Sequence, residues 1–250
     1  MKIDKCLISF DLNENYTLFY PLVKKYWKQI VGIDTIVILI ADNIPDYLTK
    51  YSDDIILFKP IENIPNAFQA QCIRVLYPCL FENQNIIISD ADLIPLNKQY
   101  YVDNIKNIDE SNFVIYRDVI SEYNQYPMCF CMANSNIWKE IFQINDEDDI
   151  RKTIYSWYSE YNDYMISSPY SSAWAADQYK LFDKVNTWNK NIIKLKDEDT
   201  GFKRIDKHTP NIYECAEFYK KEIENGVYSD FHLLRPFNKY KNLYDSLNII

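Results

Sequence analysis

The stretch NIIISDADLIPL, residues 85–96, sets two carboxylates one residue apart directly after a run of isoleucine. A turn at Asp90 and Asp92 can swing both side chains toward one cation. Two hard oxygen donors suit Mg²⁺ or Mn²⁺, with substrate phosphates completing the coordination. If the pair is enclosed, its like charges demand a cation or a positive side chain beside them. The same tripeptide in a solvated loop needs no ion, so what matters is where the fold puts it.

The isoleucine run has the continuous apolar character of a strand covered on both faces, as in the parallel sheet of an α/β domain. Strands predicted at 5–10, 35–42 and 54–60 and helices at 16–30 and about 67–81 precede it. That succession is an α/β sheet signature, and ligands of such sheets bind where the strands end, which is where the two aspartates stand. Further on, the pattern predicts strands at 112–118 and 127–134 and a short helix capped by Ser135 or Asn136. A helix over 145–164 with acids at its start follows, then one beginning near 173–177 and one around 211–224.

At 250 residues the chain suits one large domain or one and a half, and with no linker or repeat a single domain is the simplest organisation. Its 36 acidic residues against 27 basic ones argue against a nucleic-acid partner or an anionic membrane surface. With only Gly32, Gly201 and Gly226, the chain has no glycine-rich dinucleotide or P-loop phosphate site. Any phosphate must therefore be neutralised by a carboxylate-held metal, an arginine or a lysine. The six cysteines form no CxxC pair and read as free thiols of a reducing compartment. The opening MKIDKCLISF is a poor secretion signal, and no stretch reaches the roughly 20 apolar residues needed to span a bilayer. The expectation is a cytoplasmic protein without a transmembrane segment.

The segment RVLYPCLFENQNIIISDADLIPL resembles the nucleotide-sugar glycosyltransferases of the GT-A fold, especially the glycogenin and lipopolysaccharide galactosyltransferase-like group. Those proteins have a helix with a basic residue, a short loop, an apolar strand and then DxD. More weakly, the likeness extends over most of the chain. ISFDLNENYTLFYPL is similar to the family's first strand and uridine-contacting loop, and by that comparison Asp11 and Tyr16 are base-binding positions. Arg74 matches a residue near the diphosphate or the sugar-side carboxylates, Asp90 and Asp92 match the metal ligands, and His232 in DFHLLRP matches a late histidine ligand. In AWAADQYKLF, Asp177 and Gln178 match a pair beside the transferred sugar and the acceptor. Two departures stand out: CMANSNIW replaces an Asn-Ala-Gly segment, and LLRP replaces a Lys-Gly-Trp ending, with Arg235 in place of a phosphate-contacting lysine.

The resemblance implies a Rossmann-like, mainly parallel sheet over residues 1–250, with 1–100 as the nucleotide-sugar half and 101–250 as the acceptor side. It also implies a Mn²⁺ or Mg²⁺ cofactor, a UDP-sugar donor carrying a hexose or N-acetylhexosamine, and a glycan, lipid-linked or protein acceptor. Asp177 would deprotonate the acceptor in an inverting enzyme or bind sugar hydroxyls in a retaining one, and the family comparison favours retention. Two other readings compete: a nucleotidyl or phosphoryl transferase using the same carboxylate–metal logic, and an inactive GT-A-like binding or assembly protein. Each residue also has a plain structural role open to it. Asp177 suits the first turn of a helix, Arg74 an amphipathic face, Tyr16 packing, His232 a partly buried position, and Trp157, Trp174 and Trp188 a core or an acceptor groove.

Overall fold

A computed structural model describes residues 1–161 and 172–250. The strands are β1 (Lys5–Asp11), β2 (Asp34–Ile40), β3 (Ile55–Phe58), β4 (Asn85–Ile88), β5 (Leu93–Pro95), β6 (Phe113–Ile115), β7 (Cys131–Asn134), β8 (Ile192–Lys194), β9 (Lys203–Ile205) and β10 (Tyr228–His232). The α-helices are α1 (Glu14–Thr17), α2 (Tyr20–Tyr26), α3 (Asn66–Leu76), α4 (Ser135–Phe142), α5 (Glu147–Ser159), α6 (Ala176–Trp188), α7 (Asp197–Thr200), α8 (Ala216–Glu224) and α9 (Phe237–Ser246).

The large sheet has the order β3-β2-β1-β4-β7-β6-β8, and every strand except β7 runs the same way. Both faces are buried, as the unbroken apolar runs predict. In β4, Ile87 joins one core while Ile86 and Ile88 join the other, and β2 divides Val37 and Leu39 from Ile38 and Ile40 in the same way. On the first face lie α2, α8, α9 and a smaller sheet of order β5-β10-β9; on the second lie α3, α4, α5 and α6. The expected α/β class with a mainly parallel sheet is the fold this chain adopts. Among the described residues, no helix is long and apolar enough to cross a membrane. All six cysteines are free, and only Cys215 is exposed.

Several boundaries differ from expectation for local reasons. The helix predicted over 16–30 is interrupted, because a continuous helix would drive the Pro21 ring into the carbonyl one turn back. The chain forms α1, restarts as α2 with Pro21 in its first turn, and ends in a π-helical turn at Trp27–Val31. Gly32, at φ 90°, closes that turn. Pro78 likewise ends α3 at Leu76, and Tyr77–Leu80 tighten into a 3₁₀ turn. The strand predicted at 127–134 is only β7, since Met128–Phe130 turn after Pro127. That predicted at 112–118 is only β6, because Arg117 and Asp118 leave the sheet for ion pairs. α5 starts on its acids as expected, capped by Asp146, whereas residues 162–164 of the predicted helix lie outside the described residues. α8 begins at Ala216, five residues later than expected.

The cap of α4 is Asn134, not Ser135 or Asn136; its side chain accepts from the Asn136 N–H at 3.0 Å. The Asn134 amide also donates to Asn85 Oδ1 at 3.1 Å, which ties the helix start to β4. Asn134→Ala should cost about 1 kcal/mol or somewhat more in urea unfolding, the usual worth of a cap. Asn134→Asp keeps the cap acceptor and should lose less. An alanine variant as stable as the parent would remove Asn134 from this role.

Candidate functional site

At the carboxyl ends of β1 and β4 the chain leaves a cleft of about 220 Å³. β1 delivers Ser9, Phe10 and Asp11 to it, and the turn after β4 delivers Asp90, Ala91 and Asp92. α3 presents Ala67, Ala70, Gln71 and Arg74, a spacing of three and four residues that keeps one helix face toward the cleft. Ser9 Oγ donates to the Ala70 carbonyl at 2.5 Å and fastens that helix to β1. The first turn of α6 adds Asp177 and Gln178, α1 adds Tyr16, and the end of β10 and the loop after it add His232 and Arg235. All nine residues singled out from the sequence, Asp11, Tyr16, Arg74, Asp90, Asp92, Asp177, Gln178, His232 and Arg235, therefore border one cavity.

Arg74 bridges two acids there. Nη1 donates to Asp90 Oδ1, and Nη2 donates to Asp177 Oδ2 at 2.8 Å. Asp177 is fully buried, and its Oδ1 accepts the Gln178 backbone N–H at 2.9 Å. Burial pushes the Asp177 carboxyl above the usual range, and Arg74 only partly opposes that. For Asp90, burial works in the same direction but Arg74 and His232 outweigh it, leaving its pKa at about 2.

Asp92 is buried and lies between the His232 imidazole and the Arg235 guanidinium. Its Oδ1 is 3.2 Å from His232 Nε2, and its Oδ2 is 3.2 Å from Arg235 Nε, without hydrogen-bond alignment. Burial disfavours charge on His232, but Asp92 and then Asp90 outweigh it, so the imidazole's pKa is raised. Arg235 is exposed; it donates to the Tyr16 hydroxyl and stands 5.0 Å over the Tyr16 ring. One face of the aromatic ring expected at a base therefore carries a guanidinium, and that guanidinium also stands beside Asp92.

Donor atoms of Asp90, Asp92 and His232 lie within 4.8 Å of one another. Two carboxylates and an imidazole fit Mn²⁺ or Mg²⁺, and Asp92 Oδ2, buried with no hydrogen-bond donor, is free to accept a cation. Asp11 is tied locally, its Oδ1 accepting the Asn13 N–H at 3.0 Å.

Gln71 and Arg204 had no sequence signal, whereas Trp174 was one of three tryptophans open to a groove role. Gln71 donates to the Trp174 carbonyl at 2.6 Å, and the partly exposed Trp174 borders the cleft, whereas Trp157 is core and Trp188 is half-buried outside it. Arg204 in β9 reaches His232 Nδ1 at 3.1 Å. No motif marks Arg204 within FKRIDKH; only the parallel pairing of β9 with β10, which sets Arg204 opposite Asp230, brings it there. His208, four residues on, is exposed as expected and away from this cleft.

No protein-family model and no curated protein matches this chain. Among solved structures, it is similar over 99% of its length to the glycosyltransferase GlyE of Streptococcus pneumoniae TIGR4, at a TM-score of 0.52 and 11% identity, and it covers 60% of that chain. Against the apo form of GlyE the TM-score is 0.51 at 12% identity, with 99% of this chain and 63% of the other covered. A weaker likeness, at a TM-score of 0.38 and 13% identity, runs to 4-diphosphocytidyl-2C-methyl-D-erythritol synthase over 62% of this chain and 85% of that one. The chain thus spans about three fifths of the GlyE chains it matches and has the GT-A-like Rossmann fold.

Proposed function

We propose that the chain is a divalent-cation-dependent glycosyltransferase that moves a hexose or N-acetylhexosamine from a UDP-sugar to a hydroxyl on a glycan, a lipid-linked saccharide or a protein. The observation that carries this reading is the gathering of Asp90, Asp92 and His232 at the carboxyl ends of β1 and β4, with two arginines and a buried aspartate around them. The GT-A-like fold supports it; the narrower likeness to the glycogenin group rests on sequence motifs alone.

Asp90, Asp92 and His232 would hold Mn²⁺ or Mg²⁺, which when bound supplies Lewis-acid neutralisation of the charge that develops on a departing diphosphate. Arg74 keeps a permanent positive charge beside Asp90 and Asp177 and so limits the repulsion among three carboxylates. Arg235, the exposed cation of the cleft, suits a phosphate, and its planar fork matches phosphate oxygens. Tyr16 and Asp11 lie at the mouth of β1, where a base would rest.

Both oxygens of Asp177 already accept hydrogen bonds. That supports a role in holding sugar hydroxyls over removal of the acceptor's proton, and with it the retaining course. Gln178, beside it at the start of α6, offers an amide to the same hydroxyls.

Calorimetric titration of UDP, GDP and their sugar conjugates, each with and without Mn²⁺, tests the reading. UDP should bind at least about tenfold more tightly with Mn²⁺ than without, a difference of roughly 1.4 kcal/mol. Binding indifferent to the cation would sink it and leave the inactive binding protein standing. Release of sugar from a UDP conjugate, rather than release of pyrophosphate from a nucleoside triphosphate, then separates glycosyl from nucleotidyl transfer.

A further inference from the structure

The environment of His232 is the reverse of what a ligating histidine ordinarily has. Arg204 Nη2 lies 3.1 Å from its Nδ1. A guanidinium only donates, so Nδ1 must be the acceptor. On the other side Nε2 faces Asp92 Oδ1 at 3.2 Å, and an ionised carboxylate only accepts, so Nε2 carries the proton. Both contacts are satisfied together by one species, the neutral imidazole protonated on Nε2. In that tautomer the nitrogen facing Asp90 and Asp92 has no lone pair to offer. A metal-bound histidine instead donates its other N–H to a carboxylate, carbonyl or water.

The surroundings also hold a second seat for Arg204. Its Nε and Asp230 Oδ1 are both buried without a hydrogen-bond partner, and they stand 3.5 Å apart. Asp206 Oδ2 is 3.9 Å from the same Nε. Asp230 and His232 are two residues apart in β10 and share a face, while Phe231 between them points into the core. A small shift of Arg204 toward Asp230 would therefore satisfy two orphaned atoms and free Nδ1. Arg117 anchors the far side of Asp230 through Oδ2 at 3.4 Å and holds Ser229 Oγ at 3.1 Å.

We propose that Arg204 is a positioning residue that latches His232 in the tautomer unable to ligate through Nε2, and that it must yield Nδ1, withdrawing onto Asp230, before His232 joins a cation site. Between the two neutral tautomers no net charge changes: Nε2 gives a proton to solvent and Nδ1 takes one up. This rests on the cation-site reading above.

Long-range ¹H–¹⁵N NMR of the metal-free chain at mildly alkaline pH reads the tautomer directly. With only two histidines, His208→Gln assigns the signals. The expected result is His232 protonated on Nε2, reversing to Nδ1 when the diamagnetic ion Zn²⁺ is added with UDP. Arg204→Gln, whose carbonyl can accept from Nδ1–H, should show Nδ1 protonation without metal and bind Mn²⁺ roughly tenfold more tightly, the lower end of what such partners contribute. Arg204→Lys keeps a donor and should retain the parent tautomer and affinity. A purely structural arginine predicts the opposite, weaker Mn²⁺ binding in both variants. Metal-free His232 protonated on Nδ1, or equal Mn²⁺ affinity in all three proteins, overturns the latch alone. No cation binding in any of them, with the tautomer as expected, overturns the cation site and the latch with it.

Discussion

Asp92→Asn should weaken Mn²⁺-dependent UDP binding by at least about 100-fold, because losing a direct ligand should exceed the 10–100-fold that outer partners of a metal site contribute. Of the two aspartates, Asp92 is the one whose charge is left for a cation. Asp90 is engaged by Arg74, whereas Asp92 is opposed only by an imidazole and by the exposed Arg235. Asparagine preserves the side-chain shape and an oxygen toward His232. It leaves untouched the Asp92 carbonyl, which accepts the Leu233 N–H at 2.7 Å and joins the DxD turn to the segment after β10. Urea unfolding should accordingly show a folded variant. Calorimetry with and without Mn²⁺ measures the effect, and parent-like cation dependence in Asp92→Asn would mean that the ion sits elsewhere.

Arg74→Met should cost about 3–5 kcal/mol at neutral pH, the penalty for stripping one partner from a buried ion pair. Methionine fills much of the volume but leaves Asp177, fully buried, with only a backbone N–H. The dependence on pH has a definite sign. Asp177 already has its pKa raised by burial, and without Arg74 it rises further, so the folded variant holds a proton more tightly than the unfolded chain does. Its instability is full above that folded pKa and is relieved as pH falls below it. Asp90 acts only at lower pH, outside this comparison. In the parent its pKa is about 2, so the stability it adds is present above the unfolded value of about 3.9 and is lost as pH falls through about 2. Urea midpoints of parent and variant should therefore differ less at about pH 5 than at about pH 8. Asp177→Asn placed on top of Arg74→Met should recover part of the loss. A gap independent of pH would show that the cost comes from lost packing around the arginine stem.

Elements whose residues are apolar on both faces were legible before any coordinates, and β1, β2 and β4 fall where their aliphatic runs do. Asp90 and Asp92 were legible with them, because a run of isoleucine that stops at two acids marks a strand end by itself. β5 and β10 were not. Leu93–Pro95 is too short to show a period, and Tyr228, Ser229, Asp230 and Phe231 are all buried although two of them are polar, so no alternation announces the strand. Ser229 and Asp230 are buried because Arg117 and Arg204 come to meet them, and those partners are contributed by β9 and by the segment after β6. Such pairs exist only once distant strands are side by side. His232 was reachable through likeness to a family, whereas Arg204 was not reachable at all.

The pairing of β10 with β5 also bears on the order in which the chain acquires its chemistry. His232 stands opposite Leu93, the residue after Asp92, although the histidine lies 140 positions beyond that aspartate. During synthesis the two acids emerge early, and the large sheet can close through β8 while β5 still lacks its neighbour. A nascent chain at that stage carries Asp90 and Asp92 but no imidazole, and if these three residues hold a cation it would bind the ion less tightly. On the cation site proposed above, affinity for the ion would then be a gauge of completion, rising when β10 has docked.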